Sequence, residues 1–242
     1  MATVDVDIRK LFEAGAHFGH KTSRWHPKMA PYIHSKRNGT HIIDLTQTVA
    51  HLNTALAYLT DTAAAGKQIL LVSTKRQAQD AIRKLAEETG MPYVTERWLG
   101  GMLTNWNTIG GRVKRLKELE ARMASGELTS KYNKLEVQRF QEEIDGLNAI
   151  YGGIKDMNGR PGVVVVFDIT SDANAVREAR KMHVPIVGLV DTNANPGSVE
   201  YPIACNDDAI KTLELVADYM SQAILAGKAK GQKATDKTEA AA

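Results

Sequence analysis

Apolar positions recur along this chain in two rhythms. Val49, Leu52, Leu56 and Leu59 repeat at helical spacing, with Thr46 as a candidate cap and Gly66 where a C′ residue belongs. Ile69-Leu70-Leu71-Val72 is then a continuous apolar run, the mark of a strand buried on both faces. A helix over 77–89 closes on Gly90 and Pro92, and a short strand follows near Tyr93-Val94. The same alternation returns later. Gly162–Phe167 and Pro185–Val190 read as buried strands, with a helix between them capped by Ser171 or Asp172 and ending at Met182. Tyr201–Ala204 reads as a short edge strand, and 207–225 as the last helix. Alternating β and α elements predict a parallel sheet with helices on both faces.

Two segments break the rhythm. Residues 107–124 and 132–150 are charged helical stretches with narrow apolar stripes. Ile109, Val113, Leu116 and Met123 form one stripe, and Val137, Phe140, Ile144, Leu147 and Tyr151 the other. Stripes of this kind across a short loop predict an antiparallel coiled-coil hairpin over 107–151, with Gly100-Gly101 and Gly152-Gly153 as flexible joints. The globular domain is then discontinuous, 1–106 and 152–226. After a short helix over 8–14, residues 15–41 read as an extended basic loop. From Gly227 to residue 242 the chain is mostly Lys, Gly, Ala and Thr without periodicity, which predicts a disordered tail.

Charge alters this picture by its distribution rather than its sum. The net charge is only +3, so a basic face requires segregation. Lys21 to Arg37 contains Arg24, Lys28 and Lys36 and no acid, and five of the seven histidines lie in the first 41 residues. The single cysteine, Cys205, excludes an internal disulfide and fits a reducing compartment. Met1–Asp5 shows no basic or apolar leader segment, and no apolar run is long enough to span a bilayer. The expected location is cytoplasmic, with no membrane partner and no homo-oligomer.

The densest chemistry lies in Arg97-Trp98-Leu99-Gly100-Gly101-Met102-Leu103-Thr104-Asn105-Trp106. Arg suits phosphate, Trp stacks on bases, Asn105 offers an amide donor, and glycines allow close backbone approach. A buried turn with two core tryptophans is the competing account. Lys75-Arg76 follows a strand at the sheet edge where this architecture binds ligands. The dinucleotide fingerprint G-x-G-x-x-G is missing after both strands that would carry it. Gly15–Thr22 has the wrong spacing for a phosphate loop. A small-molecule enzyme on a doubly wound sheet, a sugar-phosphate isomerase or an oxidoreductase, is the runner-up. It lacks a glycine loop and a convincing acid/base constellation. At the carboxyl edge, Asp191 and Asp207 with His20, or alternatively His17, offer mixed ligands to a divalent cation, zinc before magnesium. Asp207 as a plain helix cap is the alternative.

Several blocks in series resemble the bacterial small-subunit ribosomal protein S-two family. They are His17-Phe18-Gly19-His20, Trp25-x-Pro27-Lys28-Met29, Thr74-Lys75-Arg76, the whole Arg97–Trp106 stretch, Gly152–Met157, Val190–Asn193 and Asn206–Ile210. The resemblance covers residues 8 to about 215. It implies a Rossmann-like (flavodoxin-like) parallel sheet with an inserted hairpin and no catalytic activity. It also implies binding to small-subunit (16S) ribosomal RNA and to neighbouring ribosomal proteins, including S-one where present. Lys21, Arg24, Lys28, Lys36, Arg37, Lys75, Arg76, Arg97, Arg112 and Lys114 are the expected phosphate contacts. Trp25, Trp98 and Trp106 are expected either to stack on RNA or to pin the hairpin to the sheet. No cofactor is required, although a divalent cation is an open option.

Overall fold

A computed structural model describes the backbone over residues 5–239 and side chains over 5–232. After α1 (Ile8–Glu13), the segment that reads as a loop is a small antiparallel sheet of β1 (Phe18–Lys21), β2 (Ile33–Arg37) and β3 (Thr40–Ile43), in the order β1-β3-β2. The β2–β3 turn is Asn38-Gly39, with φ of 51° and 75°. Positive φ at both central residues is what a tight hairpin of this length demands, and Asn-Gly supplies it. Strand β2 is exposed along almost its whole length. Its charges mask the period-two pattern, so the sequence reads as a loop.

The main sheet comprises β4 (Ile69–Val72), β5 (Tyr93–Val94), β6 (Val163–Val166), β7 (Ile186–Val190) and β8 (Tyr201–Ala204). All pairings are parallel, in the order β5-β4-β6-β7-β8. This is the flavodoxin-like doubly wound order, with its switch point between β4 and β6. Strands β4, β6 and β7 are buried throughout, as their apolar runs require. One face packs on α2 (Leu45–Ala64), α3 (Arg76–Thr89) and α8 (Ile210–Glu239), and the other includes α7 (Ala173–Lys181).

Several boundaries differ from expectation. Asp44, not Thr46, caps α2, accepting from the Thr46 N–H at 2.9 Å. Helix α8 starts at Ile210, so Asp207 is not its cap. The tail expected to be disordered from Gly227 continues α8 to Glu239; residues 240–242 of that expectation lie outside the described residues. Glycine is required there, since a Cβ at Gly227 would stand 2.3 Å from the Thr60 carbonyl oxygen of α2.

The charged insertion contains α4 (Trp106–Ala124), α5 (Glu127–Lys131) and α6 (Lys134–Tyr151). Asn133 and Glu136 form a capping box at the start of α6. Arg115 bonds Glu143 across the pair at 3.1 Å. The inner stripe, Ile109, Val113, Leu116, Leu119 and Ile144, belongs to the same apolar cluster as Leu70, Val72 and Val94 of the sheet. Gly153 is not a flexible joint. A Cβ there would meet the Tyr93 carbonyl oxygen at 2.2 Å, so glycine lets the backbone approach β5.

Candidate functional site

The small sheet docks where β7 ends. His20 N–H donates to Thr192 Oγ1 at 2.8 Å, and His26 N–H to the Thr192 carbonyl at 2.7 Å. A Cβ on Gly19 would lie 2.6 Å from Thr192 Cγ2, so glycine permits the close approach. The docked sheet carries Lys21, Arg24, Lys28, Lys36 and Arg37, all exposed. None has a carboxylate within ion-pair distance among the described residues. Trp25 lies among them, 37% exposed, with Lys36 Nζ 5.9 Å from its ring centre. The outcome is a positive face with an aromatic plane in it.

The Arg97–Trp106 stretch is organised from beneath by a residue that no sequence motif singles out. Glu178 of α7 accepts from Trp98 Nε1 at 3.1 Å and from the Gly101 N–H at 2.7 Å. It also accepts from the Leu103 N–H at 3.1 Å, the Thr104 N–H at 3.2 Å and the Thr104 hydroxyl at 3.0 Å. Burial raises the Glu178 pKa, but these donors outweigh it and hold the carboxyl below its ordinary range. Trp98 is therefore a buried wall and offers no face to a base. Trp106 is half-buried against the same cluster, which makes it a pin for α4. Arg97 and Asn105 are exposed. The Asn105 side chain accepts from the Thr108 hydroxyl at 3.1 Å. No feature of Glu178 in the sequence marks this role, because its partners lie 74 to 80 residues away.

Behind the switch point, the ends of β4, β6, β7 and β8 bring Lys75, Asp168, Asp191, Asp207 and Asp208 together. Lys75 Nζ stands 2.7 Å from Asp208, 2.8 Å from Asp207 and 3.5 Å from Asp168. Burial lowers the Lys75 pKa, but the bonds to Asp207 and Asp208 outweigh it and hold the ammonium charged well above the usual lysine value. Lys75 is thus committed to carboxylates and is withdrawn as a phosphate contact. Its neighbour Arg76 is exposed and has no such partner among the described residues. Burial and then the charges of Asp191 and Asp168 push Asp207 up to about 7, against the pull of Lys75. Burial among neighbouring carboxylates, with Lys75 shared between Asp168, Asp207 and Asp208, explains that direction.

His20 Nδ1 lies 3.1 Å from Asp191 Oδ2, and its Nε2 lies 3.6 Å from Asp208. The hydrogen bond to Asp191 raises the His20 pKa, and burial opposes it. One ligand atom from each of His20, Asp191 and Asp207 falls within 4.8 Å of the others. His17 is directed elsewhere, stacked on Phe12 at 4.4 Å. A groove of about 370 Å³ lined by Gly19, His20, Lys21, Arg24, Thr40 and Asp208 joins this cluster to the basic sheet. On the hairpin, among the described residues, Arg112 is exposed and unopposed, and Lys114 makes only a 3.9 Å approach to Glu118, a pair of little energetic weight.

Known proteins match this chain over nearly its whole length. A family model described as Ribosomal protein S2 matches residues 11–227. The protein named small ribosomal subunit protein uS2 of a Picosynechococcus species is 47% identical over 231 residues, covering 96% of this chain and 90% of the relative. Its namesake from Coprothermobacter proteolyticus is 45% identical, covering 92% of this chain and 83% of the relative. That of Caulobacter vibrioides is 46% identical, covering 97% and 87%. Among the described residues no helix is long and apolar enough to cross a membrane. With a family match across most of its length and relatives at this identity, the chain belongs to the ribosomal protein S2 family.

Proposed function

We propose that the protein is a structural constituent of the small ribosomal subunit that binds small-subunit ribosomal RNA and carries no catalytic activity. The observation that carries this reading is the unopposed basic face of Lys21, Arg24, Lys28, Lys36 and Arg37 on a sheet firmly docked to the core. Charges without internal partners are available to phosphates, and a rigid base fixes their spacing. Arg76, Arg97, Arg112 and Lys114 extend the surface toward the hairpin. The hairpin and the N-terminal elements are the surfaces offered to neighbouring ribosomal proteins, S-one among them. In this reading the hairpin is a docking arm separate in function from the sheet.

His20, Asp191 and Asp207 would hold a divalent cation in the same assembly. The fit is chemical. One imidazole nitrogen and two carboxylate oxygens converge, and the excess of buried carboxylates over cations favours an added positive charge. Nitrogen with oxygen ligands favours zinc over magnesium. Such an ion would tie the small sheet to the ends of β7 and β8.

The test is binding to 16S RNA across a salt series. Affinity is expected to fall steeply, with each neutralised phosphate contributing about 0.7–0.9 to the log–log slope. Replacing Arg24, Lys28, Lys36 and Arg37 by Ala is expected to flatten the slope in proportion to the phosphates no longer neutralised. A slope unchanged in that variant, or wild-type affinity independent of salt, overturns the reading.

A further inference from the structure

His41 lies in the middle of β3, opposite Lys36 of β2, and only 1% of it is exposed. Neither ring nitrogen has a hydrogen-bond partner among the described residues. Burial, and then the charge of Lys36, lowers its pKa, so the ring is neutral at pH 7 with one donor and one acceptor. Leaving such groups buried and unpaired is unfavourable, and a position that does so calls for a reason. An apolar ring would pack in the same strand without that penalty.

Trp25 lies against the His41 ring. The ring centres are 5.4 Å apart with planes inclined at 40°. The backbone beside Trp25 is fixed, since the His26 N–H is bonded to Thr192. Its side chain is not. The Trp25 indole N–H makes no hydrogen bond among the described residues, whereas that of Trp98 is held by Glu178. A tilted contact with His41 and the Lys36 ammonium 5.9 Å from the ring centre are the aromatic and cationic contacts of Trp25.

We propose that Trp25 and His41 form a receptor for one unpaired nucleobase of the bound RNA. Trp25 turns outward to stack on the base, and one nitrogen of the uncovered imidazole bonds a polar atom on the base edge. The requirements match. Every base carries a π face for the indole and polar atoms on its edge for a neutral imidazole. Lys21, Arg24, Lys28 and Arg37, without carboxylate partners, hold the flanking phosphates. This inference rests on the RNA-binding reading above and adds His41 as its base-reading residue. An acidic peptide carrying an aromatic side chain is the other ligand with planar and anionic character. RNA is favoured because the surface has several separated cations, as a polyanion requires, around a single aromatic slot.

The experiment uses the full chain with a 16S RNA transcript and, in a parallel arm, a polyglutamate peptide containing tyrosine. Substituting His41→Phe keeps a ring and deletes both nitrogens. The variant is expected to melt no lower than the wild type, because it removes unpaired buried groups, and to bind the transcript roughly 10- to 100-fold more weakly, the range of one base contact. Trp25→Ala is expected to weaken binding to a similar degree while leaving the salt slope unchanged, since stacking releases no counterions. Trp25 is on the surface, so this second variant holds the test if His41→Phe does not fold. Unchanged affinity in either folded variant overturns the proposal, and so does a binding loss in Trp25→Ala accompanied by a flatter slope. Quenching of Trp25 emission by the peptide and not by the transcript overturns it as well. Failure of the wild type to bind the transcript is a separate result and defeats the RNA-binding reading itself.

Discussion

The Trp98 indole N–H donates to the Glu178 carboxylate at 3.1 Å, which holds the ring buried, away from the surface that RNA would meet. This one relationship turns the most aromatic part of the chain from a stacking platform into a scaffold. Four further donors from Gly101, Leu103 and Thr104 converge on the same carboxylate. Replacing Glu178 by Ala leaves those donors without their acceptor. The expected loss is roughly 2–4 kcal/mol of stability, typical of a broken charged hydrogen-bond network. A urea melt measures it, and red-shifted Trp98 emission reports the opened loop.

The same carboxylate gives a pH dependence of definite sign. Its folded pKa lies below the ordinary value of 4.5, so the unfolded chain binds its proton more readily. The stabilisation from Glu178 is complete above the ordinary carboxylate range and is lost as pH falls through the lower folded value. Glu178→Gln, with no charge to lose, is expected to show a shallower fall in melting temperature over that acidic window. Parallel curves for both proteins would show that the donors do not favour the ionised form.

Lys75 answers to three carboxylates at once. Lys75→Met removes their cation and is expected to destabilise the fold by about 3–5 kcal/mol, the usual effect of breaking a buried pair. Added zinc is expected to restore part of the melting temperature through His20, Asp191 and Asp207. Chelator is expected to lower the melting temperature of wild-type protein purified without chelator. No response to zinc in the variant and none to chelator in the wild type would remove the cation and leave Lys75 and His20 as the counter-charges.

Legibility in the sequence follows from how far apart the partners lie. The strands Ile69–Val72 and Val163–Val166 are visible because burial on both faces demands an unbroken apolar run. Parallel pairing follows from the alternation of β and α elements, whereas the order β5-β4-β6-β7-β8 is read only from the fold. The small sheet is hidden because β2 buries almost nothing, although Asn38-Gly39 is itself a hairpin signal. The basic residues are legible as a cluster, but their availability is not. Lys75 and Lys36 look alike in sequence, and only the fold puts Asp207, 132 positions away, against one of them. Glu178 and His41 carry no local motif. Their roles arise from what the fold gives one and withholds from the other.

The hairpin offers a test of where stability resides. The apolar cluster beneath α2, α3 and α8 contains no residue from 107–151, whereas the opposite cluster contains Ile109, Val113, Leu116, Leu119 and Ile144. Joining Trp106 to Gly152 by a short Gly/Ser linker is therefore expected to leave a cooperative melt at a lower temperature, with weaker association with small subunits. Loss of the cooperative transition would make the hairpin part of the folding core. Undiminished association would remove it as a docking arm.

Two helical glycines separate intrinsic helix preference from packing. Gly111 lies in α4 with nothing within 4 Å of where a Cβ would stand, so Gly111→Ala acts only through backbone entropy. It is expected to stabilise by about 0.5–1 kcal/mol. Gly227 lies in α8, where a Cβ would stand 2.3 Å from the Thr60 carbonyl oxygen and 2.8 Å from Ala63 Cβ. The two helices are also tied by Thr60 Oγ1 donating to the Ala223 carbonyl at 3.1 Å, so neither withdraws freely. Overpacking of this kind typically costs about 1–3 kcal/mol, more than the helix preference returns. Gly227→Ala is thus expected to lower stability where Gly111→Ala raises it. The paired melts also decide the course of the chain beyond Gly227. If Gly227→Ala stabilises the protein as well, α8 does not pack on α2 at that point, and the disordered tail expected from the sequence is restored.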